Sequence, residues 1–452
     1  MNRSIKNQLI NNPEYQQAKR LILELIEREK DSLNAPQKAD PHKKESYELL
    51  ILRIKELRGM GLYYPYLGSG RGNGLFVELA DGSCKYDLIC GIGVHFFGHA
   101  HPEIISSCFD AATSDTVMQG NLQQNVDSVE LMQQIAKAAK MQHVFLSTSG
   151  AMANENALKI IFQKTFPAHR IIAFEGCFAG RTLALSQVTD KPQFREGLPE
   201  TVAVDYIPFY DPQHPEESTK TCLHVLNEHL KRHPKEYAVL FLELVQGERG
   251  FYSGSKAFFQ AIINCAKAHG LAVIADEVQT FARTEELFAF HHFELEGIDL
   301  VTIGKIAQLG ATLWNDEFNP KQGLLSQTFT ASTSSIHASQ WIFDALMQGN
   351  FYGKNGKNAK LHAAFMHRLE KLKPHIQGPF GIGSMIAFTP FNGEKAVAEK
   401  CAHKLFDNGV ISFIAGSNPT RIRFLLPAGI MNLSDVDPIM DIVEKTIMEM
   451  RS

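Results

Sequence analysis

The chain has 452 residues, 44% of them hydrophobic and 21% charged, which fits a globular protein of about two or three domains and excludes a disordered or collagen-like chain. A formal net charge of −4 offers no cationic field for nucleic acid or an anionic membrane, so neither partner is expected. Seven scattered cysteines without a CxxC pair give no zinc knuckle or disulfide framework, and the apolar runs reach only strand length; a reduced, cytoplasmic protein is expected.

Two amphipathic helices are predicted first. Residues 13–31 carry Leu21 and Leu25 at helical spacing with charges opposite, and 43–59 repeat the pattern after a polar break. The stretch YLGSGRGNG (66–74) reads as a turn, because it lacks the Lys-Ser/Thr and preceding buried strand of a phosphate loop. His95, His99 and His101 follow without metal-ligand spacing, so no metal site is expected. From residue 143 onward short apolar strands alternate with helices. HVFLST leads to a helix at 152–163, then RIIAFEG; AVLFLELV (238–245) precedes a helix near 256–268; LAVIADEV (271–278) and DLVTIGK (299–305) close the series. Such alternation predicts a mostly parallel sheet covered on both faces. SMIAFTPF, GVISFIA and RIRFLLP, with helices at 394–408 and from about Ser434, predict a smaller α+β domain.

Ligands of open α/β sheets sit at the carboxyl ends of the strands, and four such ends carry suggestive groups. STSGAMANENALK (147–159) joins a strand to a helix through Ser149, Gly150 and Ala151, whose backbone amides suit a phosphate. EGCFAGRT places Phe178 beside two glycines, where its ring could cover a flat ligand or simply pack in the core. LAVIADEVQTF runs a buried strand into Asp276 and Glu277, and a buried carboxylate is costly unless a cation or strong donor meets it. TIGKIAQLG puts Lys305 just beyond another buried strand, as a snorkelling cation or as a carbonyl-reactive amine. One ligand would use all four groups: a pyridine aldehyde bearing a phosphate.

At these residues the chain resembles the class III aminotransferases, the pyridoxal-phosphate family of ornithine, 4-aminobutyrate and lysine ε-aminotransferases. GIGVHFFGHAHPEI, SGAMANENALK, CFAGRT, ELVQGERG, DEVQT, DLVTIGK and IRFLLPAGI are similar to the family's motifs and follow in family order. The resemblance implies an aspartate-aminotransferase-like fold. Its parts would be an N-terminal helical extension (1–60), a small domain (61–115 and 345–452) and a large cofactor-binding domain (116–344). It implies pyridoxal 5'-phosphate joined to Lys305, Asp276 at the ring nitrogen, Gln279 on the ring hydroxyl oxygen and Phe178 over the ring. Ser149, Gly150 and Ala151 would hold the phosphate, helped by Thr328, with Thr330 as the alternative, from the partner subunit of a homodimer. Glu248 and Arg423 would govern substrate binding, the glutamate masking the arginine in one half-reaction.

Four departures bear on the substrate rather than on cofactor binding. Ala179 occupies the family's histidine position, a glycine is missing after Thr280, IAQLGATLW replaces a Gly-rich run after Lys305, and TFTASTS replaces a Thr-x-Gly-Gly-Asn loop. The implied activity is ping-pong transfer of a terminal amino group from an amino acid or diamine to a 2-oxo acid such as 2-oxoglutarate. Gln308, three residues after Lys305, resembles the lysine ε-aminotransferase subgroup. The alternatives are an aminomutase, decarboxylase or racemase on the same scaffold, or a non-catalytic relative. A dinucleotide-binding dehydrogenase would require a G-x-G-x-x-G after the first strand, and none is placed there.

Overall fold

The computed structural model describes residues 8–451. They fall into two compact units, Ser107–Gly356 (with Gln8) and Leu9–Ser106 together with Lys357–Ser452. The first seven residues of the expected N-terminal extension lie outside the described residues.

The Ser107–Gly356 unit is built on one seven-stranded sheet. In chain order its strands are β1 (His143–Ser147), β2 (Arg170–Phe174), β3 (Ala203–Ile207), β4 (Tyr237–Leu242), β5 (Ala272–Asp276), β6 (Leu300–Ile303) and β7 (Gly310–Trp314). Their order in space is β1-β7-β6-β5-β4-β2-β3, with β6, β5, β4, β2 and β3 mutually parallel. β7 runs antiparallel between β6 and β1. Every residue of β4, β5 and β6 is buried, as strands covered on both faces require. The sequence pattern marks IAQLGATLW only as a departure; Gly310–Trp314 within it is this inserted strand.

Helices cover both faces because their apolar stripes have nowhere else to go. Lys256–Ala268 buries Phe258, Phe259, Ile262, Ile263 and Ala266, and Ser255 caps its start by accepting from the Phe258 N–H. Gly150–Thr165 packs on β6 and β7 through Ala153, Ala157, Ile160 and Ile161. It begins at Gly150, two residues earlier than expected, since Ser149 is its cap. Helices Val126–Ala139 and Thr333–Gln348 pack together, and neither is announced by the sequence pattern.

The other unit holds an antiparallel sheet of Ile376–Ile382, Met385–Pro390, Arg421–Leu425 and Phe413–Ala415, with helices Lys357–Glu370, Lys395–Asp407 and Val436–Glu449. Helices Pro13–Lys30 and Lys44–Arg58 form where the sequence predicts them, opened by the Asn12 cap and closed by left-handed Gly59 respectively. The apolar stripe of the first is not core, with Leu21 58% and Leu25 50% exposed, whereas the second buries Tyr47. Among the described residues no helix is long and apolar enough to cross a membrane.

Gly310 sets how closely β7 passes beneath the Ser149 turn, since a Cβ there would lie 2.1 Å from the Ser149 carbonyl oxygen. Gly310→Ala is therefore expected to destabilise the protein by about 1–3 kcal/mol, measured by urea denaturation, and to loosen the turn above it.

Candidate active site

The register of β5 and β6 places Asp276 opposite Thr302. The Thr302 hydroxyl donates to Asn154 Oδ1 at 2.6 Å, and this fixes which way the Asn154 amide faces. Its Nδ2 then donates to Asp276 Oδ2 and to the Ala179 carbonyl, each at 2.8 Å. The Val278 N–H supplies Asp276 Oδ1 at 2.9 Å. Burial still raises the Asp276 carboxyl to about 6, against the opposing pull of those donors and of Lys305. Sequence reasoning did not single out Asn154, although a buried asparagine one turn into a helix is a poor helix former and thus a signal.

Lys305 follows β6 in a left-handed conformation (φ 49°), a geometry that costs a β-carbon-bearing residue on the order of 1–2 kcal/mol. Its Nζ donates to Gln279 Oε1 at 2.6 Å. Gln308 closes the same turn, also left-handed, with its amide on the Ile306 carbonyl.

At the end of β1, the Ser149 hydroxyl accepts from the Met152 N–H at 3.2 Å and caps a 16-residue helix whose start carries the positive end of its dipole. Gly150 is required there: a Cβ would sit 2.7 Å from Val278 Cγ1. Phe178 follows β2, half-buried, and its N–H donates to Glu243 Oε2 at 3.0 Å. Glu243 Oε1 accepts from the Gly247 N–H at 2.9 Å, so one buried carboxylate ties two strand-end turns together. Burial and the nearby Asp276 charge raise Glu243 to about 8. Glu277 faces away from this group. It accepts from the Thr280 hydroxyl and from the Phe290 N–H (2.8 Å), and burial raises it to about 7.

Ser149, Gly150, Ala151, Phe178, Asp276, Gln279 and Lys305 thus all belong to strand ends of one unit. Thr328 is exposed, its carbonyl against Gly120, whereas Thr330 is buried with N–H and hydroxyl both on the Gln119 carbonyl. Glu248 carries Lys191 at 2.7 Å. Arg423 lies in the other unit, buried on the strand Arg421–Leu425, with its guanidinium 5.5 Å from the Phe413 ring centre.

The residues present fit a phosphorylated pyridine aldehyde. Gln279 Nε2 is buried with no hydrogen-bond partner in the protein, a donor awaiting an oxygen. The glycine-lined helix start suits a phosphate, Asp276 a ring nitrogen, and the Lys305 amine an aldehyde.

Comparison with known proteins agrees. Residues 16–447 match the family described as aminotransferase class-III. An acetylornithine aminotransferase from Archaeoglobus fulgidus is 28% identical over 381 residues, covering 82% of this chain and 93% of that protein. An acetylornithine aminotransferase from Elizabethkingia anophelis superposes with a TM-score of 0.73 at 25% identity, over 89% of this chain and 99% of that one. Lysine aminotransferase from M. tuberculosis shares the fold with a TM-score of 0.78 at 19% identity, over 88% of this chain and 99% of that one. This chain belongs to the class III aminotransferases, and pyridoxal 5'-phosphate is its cofactor.

Proposed function

We propose that the enzyme moves a terminal amino group from an amino acid or diamine to a 2-oxo acid such as 2-oxoglutarate, in two half-reactions at one site. The observation that carries the reading is the convergence of the Lys305 amine, the buried Asp276 carboxylate and the open helix start at Gly150 on one edge of the sheet. Similarity to acetylornithine aminotransferases supports a donor of this class.

Bound pyridoxal phosphate supplies the electron sink for cleavage of the C–H bond next to the transferred nitrogen. The chain supplies the rest. Lys305 would hold the cofactor covalently at rest, and its amine would take the proton from the amine-bearing carbon and return it to the carbon on the other side of the nitrogen. Asp276, kept in place by Asn154 and Val278, would hold a proton on the ring nitrogen, where a carboxylate favours positive charge. Gln279 would donate to the ring hydroxyl oxygen, and Phe178 would cover the ring. The amides of Ser149, Gly150 and Ala151 take the phosphate. We assign Thr328 to the phosphate of a partner subunit in a homodimer whose active sites lie at the interface. Exposed Leu122 (104%), Val117 (73%) and Phe329 (52%) beside it support a second copy covering this edge. Arg423 would clamp the acceptor carboxylate through two parallel hydrogen bonds, with Glu248 masking it for the amine donor.

Lys305→Ala should lower turnover by roughly 10²–10⁴-fold with the fold intact. Borohydride reduction of the wild-type holoenzyme followed by peptide mass spectrometry should find the cofactor on Lys305; a label on another lysine sinks the assignment.

Arg423→Lys should raise the apparent KM for 2-oxoglutarate strongly and slow the amine half-reaction little, because an ammonium cannot copy a bidentate clamp. Equal losses in single-turnover measurements of both half-reactions would make the arginine structural.

Asp276, Glu243 and Glu277 all have carboxyls raised by burial, to about 6, 8 and 7. Between their unfolded and folded values the native state binds more protons than the unfolded chain, so stability falls as pH rises through that window. The cofactor-free protein should accordingly melt at lower temperature at pH 8 than at pH 5. Glu243→Gln should flatten that slope, and an unchanged slope would show that this carboxyl does not titrate there.

A further inference from the structure

Glu248 has a cation from its own unit. Lys191 Nζ lies 2.7 Å from Glu248 Oε1, with the two side chains only 15% and 23% exposed. Lys191 sits on the turn after helix Leu183–Val188, and the Thr189 and Asp190 side chains of that turn fasten it to the site. The Lys191 N–H donates to the Thr189 carbonyl at 2.9 Å, and the Thr189 hydroxyl oxygen accepts from the Ala179 N–H, also at 2.9 Å. Asp190 Oδ2 accepts from the Gly176 N–H at 2.7 Å. The residues on either side of Phe178 are thereby tied to the residues just before Lys191.

The ammonium is confined as well. The Phe194 ring lies 5.3 Å from it, and the Arg181 guanidinium sits over the same ring at 3.5 Å. Arg181 thus shares the Phe194 ring with Lys191, and a second cation nearby disfavours any move of the ammonium that gives up the carboxylate. Glu248, for its part, is joined through its turn to Glu243, which accepts from the neighbouring Gly247 N–H. Lys191 and Glu248 therefore close a ring of contacts running from Phe178 through Thr189 and back through Glu243.

We propose that Lys191 is the positioning residue for Glu248, fixing the carboxylate that discriminates substrates with a carboxylate beside the reacting carbon from those without one. The inference rests on the role proposed above for Glu248. A lysine grips one oxygen as a point charge, where an arginine would take both in a fixed fork. The grip orients Glu248 and leaves it able to turn. Without Lys191, the Glu248 carboxylate loses this counter-charge and the orientation it imposes, and its position sets preference less sharply.

The test uses the holoenzyme and single-turnover kcat/KM for 5-aminopentanoate and for L-glutamate. In Lys191→Met the ratio of the first to the second should fall roughly 2- to 150-fold, the range of coupling between residues in contact. Glu248→Ala should move it the same way and further. In a Glu248→Gln background, Lys191→Met should change the ratio no more. Melting temperature and cofactor affinity should stay near wild type. Equal losses with both substrates, a rise in the ratio, or a full effect persisting beside Glu248→Gln would overturn the inference while leaving Glu248 its role. An unchanged ratio in Glu248→Ala would overturn both.

Discussion

The active site is organised around a carboxylate that the protein holds out of water. Asp276 ends a strand whose every residue is buried, and it is tolerated there because two donors converge on it from fixed directions. One is a backbone N–H two residues on. The other is Asn154, whose amide orientation is dictated by Thr302 on the adjacent strand. Strand register, helix start and acid position are therefore one structural decision. A one-residue slip of β5 against β6 would turn Asp276 to the opposite face and strand Asn154 without its acceptor.

The electrostatics follow from that decision. Two buried acids, Asp276 and Glu243, share a region with one amine; burial raises both, the Asp276 charge raises Glu243 further, and Lys305 only partly offsets this. Glu243 serves mainly through its backbone donors, shaping the Phe178 and Gly247 turns. Gly247 in turn packs on Gln279, where a Cβ would meet Gln279 Cγ at 2.9 Å, and Gln279 receives the Lys305 ammonium. The lysine is in this way held by a chain of close contacts that begins at a carboxylate on another strand. That over-determination is what keeps its left-handed backbone in place.

A buried acid in the other unit makes a useful contrast. Asp87 is as enclosed as Asp276, yet its carboxyl is held below the usual range. His99 lies 2.8 Å from one oxygen, and the N–H groups of Ile89 and Cys90 meet the other. It stabilises a turn with positive φ at Cys90, Gly91 and Ile92, and gives His99 a structural partner. The difference lies in the donors: three hydrogen bonds, one from a titratable ring, satisfy Asp87, while Asp276 keeps capacity for a further partner.

Much of this was legible in the sequence. Uniform apolar runs such as AVLFLELV and LAVIAD announce strands buried on both faces, because only a covered parallel sheet hides them fully. Asp276, Lys305 and the Ser149–Gly150 turn could be read from local rules, since each breaks an apolar run at its end. What the sequence could not decide was anything set by partners far along the chain. Asn154 looks like one polar residue among several until Thr302, 148 positions away, orients it. The strand Gly310–Trp314 hides in a short mixed run because its neighbours β1 and β6 supply the pairing that makes it a strand. Leu21 and Leu25 have the spacing of a core face, but spacing states only that a stripe exists, and folding left it exposed. Glu248 gained Lys191 in the same way: 57 residues separate the two, and only tertiary packing brings an ammonium to that carboxylate.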